Sequence, residues 1–269
     1  MRRSWWKTAV GLVLTGIMLF PAYWMINVSF TKRESIRKSQ LLPFDFTTEH
    51  YQVVLREQLP FLTTSLVIGV GTVLLTLLIA APAGFGIAKM RLPGGRTLGF
   101  LLIVAQMIPA VVMSLGFYTI YVKLGLLNTI PGLILADSTI AVPFATMLFA
   151  AFMRGIPREL MEAARLDRAS YWRTFLAVVL PMSRNVSITV ALFAFLWSWS
   201  DFLFASTLDR EGGAARPITL GIYNYIGAQN QEWGPMMATA VMASIPTAML
   251  LILAQKYVAA GVTAGAVKD

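Results

Sequence analysis

Six apolar runs, at about 9–28, 61–87, 97–122, 130–152, 186–205 and 235–258, decide what this chain can become. Each is long enough to cross a hydrocarbon core of roughly 30 Å as a helix. No water reaches backbone groups inside lipid, so a run of this kind must close its hydrogen bonds on itself. Composition agrees, with 57% of the 269 residues hydrophobic and 13% charged. A mean hydropathy of +0.68 belongs with integral membrane proteins. The expected fold class is all-α integral membrane, with six transmembrane helices in a single domain spanning 1–269.

The first run follows a basic segment holding Arg2, Arg3 and Lys7. It is too long for the apolar core of a signal peptide, and no small-x-small cleavage pattern follows Phe20. It therefore reads as an uncleaved first span, with Trp5 and Trp6 at the interface. Six spans put both termini on one side. Most of the 22 Lys and Arg residues fall on that side, among them Lys89, Arg91, Arg96, Arg154, Arg158, Arg165, Arg168, Arg173 and Arg184. The positive-inside rule makes it the cytoplasm, although Lys32, Arg33, Arg37 and Lys38 vote the other way. Pro82, Pro109, Pro143 and Pro246, with Gly69, Gly71, Gly84 and Gly86, predict kinks and close approaches within the spans.

Between the fourth and fifth runs lies the one long polar-rich stretch, 161–181, within a cytoplasmic loop of about 154–184. Pro157 suits the first turn of a helix, and Glu159 and Glu162 sit near that helix's positive end. The helix should break around Asp167–Ser170, with Ser170 or Asp167 capping a second one. Trp172, Phe175, Leu176 and Val179 recur at helical spacing on that second helix, which predicts an inward aromatic face. Pro181 disfavours helical geometry at Leu180 and is expected to end it.

The spacing Glu162-Ala163-Ala164, Asp167, Ala169, Phe175, Leu180-Pro181 resembles the EAA loop of ABC importer permeases. Arg168 stands where that family usually has Gly. An L-residue there must either accept a left-handed conformation or move the corner to Asp167. Three further segments are similar to the carbohydrate-uptake class, and to its smaller maltose-type permease subunit in particular. They are Leu124-Gly125-Leu126-Leu127-Asn128-Thr129, Ile156-Pro157-Arg158-Glu159-Leu160, and the tail Val262-Thr263-Ala264-Gly265-Ala266-Val267-Lys268.

Trp197-Ser198-Trp199-Ser200-Asp201-Phe202 resembles the signature W-N-[DE]-F of the same class, with Ser200 replacing Asn. Asp201 reads as the acidic residue well inside a span, and an intramembrane carboxylate points to function by default. Its depth, roughly 22 Å along the fifth span, also lets it simply reach interfacial water.

The resemblance implies a type I ABC importer permease fold with cytoplasmic coupling helices, in the bacterial inner membrane. It further implies a heterodimer with a second permease, a separate ATPase subunit dimer carrying ATP and Mg, and an extracytoplasmic solute-binding protein delivering a sugar. Glu159, Glu162, Ala163, Ala164, Asp167, Arg168, Ala169, Trp172, Phe175, Leu180 and Pro181 would then couple to the ATPase. Trp197, Trp199, Ser200, Asp201 and Phe202 would line a substrate path, and Thr263, Gly265, Val267 and Lys268, in a 261–269 tail, would touch the ATPase. Loop 207–234 would face the binding protein. A non-sugar substrate is the nearest alternative. An ion-coupled secondary transporter, further off, needs several ionisable residues at mid-depth.

The residues exclude other chemistry. No cysteine is present, so there is neither disulfide nor thiolate. The single histidine, His50, cannot build a metal cluster, and neither G-x-x-x-x-G-K-[ST] nor H-E-x-x-H occurs. The expectation is a chain that is not an enzyme, with no catalytic, metal or cofactor-binding residue of its own. The +9 charge suits cytoplasmic loops against anionic lipid rather than nucleic acid.

Overall fold

The computed structural model describes residues 5–38, 40–90, 94–209, 215–227 and 232–266, with side chains as far as Gln255. Among the described residues the fold is helical, and the extended pairing is one isolated bridge between Thr31 and Phe46. The helices are α1 (Trp5–Ser29), α2 (Arg33–Ile36), α3 (Glu49–Glu57), α4 (Leu59–Lys89), α5 (Gly95–Gln106), α6 (Ala110–Leu124) and α7 (Ile130–Arg154). They continue as α8 (Arg158–Leu166), α9 (Tyr171–Met182), α10 (Arg184–Ser200), α11 (Leu203–Leu208), α12 (Ile218–Gly221) and α13 (Trp233–Ala266).

Helices α1, α4, α7 and the apolar part of α13 are each long and apolar enough to cross a membrane. Two bent pairs supply a fifth and a sixth candidate span. The first, α5 with α6, turns by 96°. The run at 97–122 is thus not one straight helix. Pro109 has ψ 133°, outside the helical region, and pushes Ile108 away from helical geometry too. The second pair, α9 with α10, turns by 79° at Ser183. Helix α10 then stops at Ser200, five residues short of the expected end at 205.

The chain divides into two compact units, one of 1–62 with 221–246 and one of 63–220 with 247–269. In the first, Phe30 stacks on Phe46 at 5.2 Å and leans on Tyr51 at 4.8 Å. His50 is buried, with Nε2 2.9 Å from the Thr31 carbonyl. Gly234 passes so close that a Cβ there would lie 2.3 Å from the imidazole. Most of α1 is exposed despite being apolar, as a lipid-facing or subunit-facing span must be.

The second unit holds two apolar cores. One gathers Ala80, Ala81 and Phe85 of α4, Phe149 and Met153 of α7, Phe175 and Val179 of α9, and Val186 and Val190 of α10. The other gathers Ile68, Tyr121, Leu133, Ala136, Phe204, Ala205 and Leu208. Small residues let the long helices meet. A Cβ on Gly84 would come 2.5 Å from Phe149 Cβ, and one on Gly71 would come 2.4 Å from Ile134. Gly69 likewise admits the Phe195 ring at 2.9 Å. This is the small-residue packing that membrane helices use in place of a hydrophobic drive.

Candidate functional site

Helices α8 and α9 form a hairpin hung between α7 and α10. Pro157 stands at the N-cap of α8 with ψ 142°, just before the first turn rather than in it. Glu159 follows in the first turn, where the helix dipole favours a carboxylate. Glu159, Glu162 and Ala163 are exposed, while Ala164 turns inward and is buried.

The corner is a Schellman motif. Ala169 N–H donates to Ala164 O at 2.9 Å and Arg168 N–H to Arg165 O at 2.9 Å, which closes the last turn of α8. The residue in the left-handed position is Arg168, with φ 55°. The chain has accepted the strained conformation rather than moved the corner to Asp167. Ser170 then caps α9, its hydroxyl accepting from Arg173 N–H at 3.2 Å. Across the corner the Arg165 guanidinium lies 5.3 Å from the Tyr171 ring centroid and donates to the Tyr171 hydroxyl.

Two of the three aromatics of α9, Trp172 and Phe175, part company. Phe175 is 2% exposed and packs its ring 5.3 Å from Phe85 of α4. Trp172 touches Phe175 at 5.3 Å yet stays 60% exposed, so the expected inward aromatic face is half outward. Leu166 projects further still, at 86% exposure, with Tyr171 and Leu176 also exposed. Apolar side chains ringed by charge are what a partner-facing surface presents.

Pro181 does not end α9. A π-helical turn over Phe175–Val179 carries the Leu180 N–H to Phe175 O, and the helix runs through Leu180 and Pro181 to Met182. A proline inside a helix removes one N–H donor and crowds the carbonyl four residues back. The wider turn just ahead of Pro181 gives that ring room. The hairpin is also tied to the second span, because Lys89 Nζ donates to Ile156 O at 2.6 Å.

Residues 197–202 do not converge on one cleft. Trp199 is buried and stacks on Phe195 at 5.3 Å, whereas Ser200 is exposed and donates back to Leu196 O. Trp197 is half-buried and Phe202 40% exposed. Asp201 lies past the end of α10, not within the span. Its two carboxylate oxygens accept from Phe204 N–H at 3.1 Å and Ala205 N–H at 2.9 Å, and so open α11. An acidic residue that does lie within a span is Asp137 of α7, 1% exposed, which accepts from Ser198 Oγ at 2.6 Å. It stands in the run read as the fourth span, where a lone carboxylate among apolar residues was signal enough. The backbone at Thr263 and Gly265 continues α13 as helix, so the tail is not a loose end up to Ala266. Val267 and Lys268 lie outside the described residues.

A protein family described as the binding-protein-dependent transport system inner membrane component matches residues 80–264, which takes in the whole α8–α9 hairpin. The chain belongs to that family. The trehalose transport system permease SugB of Mycobacterium tuberculosis is 30% identical over 99% of this chain and 98% of its own length. The trehalose/maltose permease MalG of Thermococcus litoralis is 29% identical over 96% and 95%. Among solved structures, a chain of a bacterial ABC transporter involved in importing the acidic polysaccharide alginate superposes with a TM-score of 0.81. It is 22% identical and covers 96% of this chain and 98% of that one. This permease thus has the all-helical type I importer fold and is a multi-pass inner-membrane protein, a transport subunit rather than an enzyme.

Proposed function

We propose that this permease is one of two membrane subunits of an ATP-driven importer for a sugar, an oligosaccharide or related polyol. The observation that carries the reading is the end-to-end similarity to permeases named for trehalose and maltose. A second permease completes the heterodimer, two ATPase subunits bind ATP and Mg, and an extracytoplasmic solute-binding protein delivers the sugar. Both termini lie in the cytoplasm, and the chain binds no cofactor itself. The whole chain acts as one permease domain. The α8–α9 hairpin lies in a groove of the ATPase, helix in groove, with Glu159, Glu162 and the exposed Leu166 and Trp172 toward it. Residues 261–269 reach the ATPase as well. Trp197 and Phe202, the more open of the 197–202 aromatics, stand nearest the sugar, and Asp201 holds the backbone that presents them.

Reconstitution in proteoliposomes tests this. The chain with its ATPase, second permease and binding protein should take up trehalose or maltose only when ATP is supplied to the ATPase side. Uptake by the chain alone under an ion gradient would overturn the reading.

A further inference from the structure

Asp137 is a charge-bearing side chain buried inside a membrane span, and the roles proposed for the hairpin and for Trp197, Asp201 and Phe202 do not use it. Its Oδ2 accepts from Ser198 Oγ of α10 at 2.6 Å, and Thr72 Oγ1 of α4 reaches the same hydroxyl at 3.4 Å. Its Oδ1 is buried with no protein partner among the described residues. A half-satisfied buried carboxylate is a poor way to stabilise a bundle, since apolar side chains of similar volume usually do as well or better. What such a group does supply is one register between the helices it joins.

The helices it joins matter. Helix α7 runs directly into the coupling hairpin and α10 runs directly out of it. Asp137 is 17 residues before Arg154 and Ser198 is 14 after Arg184, so the bond sits roughly 20–25 Å from the hairpin ends of both. At those ends the two helices share the core built on Phe149, Met153, Val186 and Val190. Near the pin, α4 closes against both, with Gly71 under Ile134 and Gly69 under Phe195.

We infer that Asp137 is a positioning residue for transport: acting through Ser198, it pins α7 to α10 far from the hairpin. A pull on the hairpin then moves both helices together instead of sliding one along the other. This rests on the proposed importer function, in which the hairpin receives the movement of the ATPase.

The test uses the reconstituted complex and reads sugar transported per ATP hydrolysed, beside the abundance of the assembled complex. Asp137→Val and Ser198→Ala should each lower that ratio about fivefold or more, the low end of typical coupling energies, at near-normal abundance. Asp137→Asn, whose amide oxygen still accepts from Ser198, should restore it. The double variant should fall no further than either single one, as for two residues acting through one bond. An unchanged ratio in Asp137→Val, or loss confined to abundance, would overturn the inference. Because the chain has no cysteine, Phe144→Cys with Phe193→Cys gives a second reading. These rings of α7 and α10 lie 4.1 Å apart, and a short thiol cross-link between them should leave transport intact. Transport blocked by the cross-link and restored by reduction would mean that the helices slide, and would overturn the pin. ATP-dependent uptake by the unmodified complex is the control: if it is absent, the importer reading fails instead.

Discussion

Lys89 at the end of α4 donates its ammonium to the carbonyl of Ile156, 2.6 Å away, one residue before the N-cap of the α8–α9 hairpin. Helix α7 ends at Arg154, so Ile156 O lies just past the negative end of that helix, where a cation is favoured. One side chain thus ties the second span to the point where the fourth becomes the hairpin. Phe85, a turn earlier on α4, makes the parallel contact to Phe175 of α9.

Replacing Lys89 by Met keeps the aliphatic stem and deletes the donor. Hydrogen bonds to charged groups contribute about 1.5–3 kcal/mol, and partial exposure here brings the expected loss to about 1 kcal/mol. Coupled ATP hydrolysis should drop while assembly survives, and Lys89→Arg should retain most of it. Normal coupling in Lys89→Met would remove the tie from the mechanism.

Gly84 and Gly99 separate packing from propensity. A Cβ at Gly84 meets Phe149 Cβ at 2.5 Å and the Ala150 backbone nitrogen at 3.0 Å, whereas one at Gly99 meets nothing within 4 Å. Gly84→Ala should destabilise by about 1–3 kcal/mol through overpacking. Gly99→Ala should be neutral or stabilise by up to about 1 kcal/mol. Thermal melts of the purified complex in detergent check both, and equal melts would mean that α4 and α7 are not in close contact.

Much of this was legible because each span is a local event. Runs of apolar residues located α4, α7 and α13, and the Asp167–Ser170 signals located both the break between α8 and α9 and its Ser170 cap. What was not legible depends on neighbours. Pro181 continues its helix with a π turn just ahead of it, and Phe175 packs inward against Phe85 while Trp172, three residues earlier, faces out. Asp137 itself stood in plain view in the fourth apolar run, and what the sequence hid was its partner, since Ser198 lies 61 positions away. The stop of α10 at Ser200 follows from Asp201 spending its carboxylate on the next helix.

Arg168 carries its strain openly. A left-handed φ of 55° costs an L-residue about 1–2 kcal/mol, and glycine avoids that cost. The Schellman hydrogen bonds at this corner use backbone atoms alone, so Arg168→Gly keeps them. Assembly and transport should stay within a few-fold of the parent, with a hairpin no less stable. Arg168→Glu keeps the strain and reverses an exposed charge, so docking to the ATPase should weaken in a salt-sensitive way. Loss of transport in Arg168→Gly, measured by uptake at several ionic strengths, would make the guanidinium itself an essential contact.

Asp201 distinguishes a backbone role from a substrate contact. Its oxygens take the Phe204 and Ala205 N–H groups, and Thr219 Oγ1 donates to its carbonyl at 2.6 Å, so the residue organises α11 and the segment after it. Side chains that cap helices rank Asn, Asp and Ser together and Ala far below, a difference of about 1 kcal/mol. Asp201→Asn and Asp201→Ser each keep one acceptor oxygen, so they should retain most of the stability and leave the sugar concentration for half-maximal uptake unchanged. Asp201→Ala should lower the melting temperature, with uptake falling in proportion to folded protein. A carboxylate that instead accepted sugar hydroxyls would show the opposite pattern. Asn and Ser would then fail along with Ala, raising the half-saturating sugar concentration while the melting temperature held. Uptake titrations on these three variants, run beside the melts, decide between the two roles.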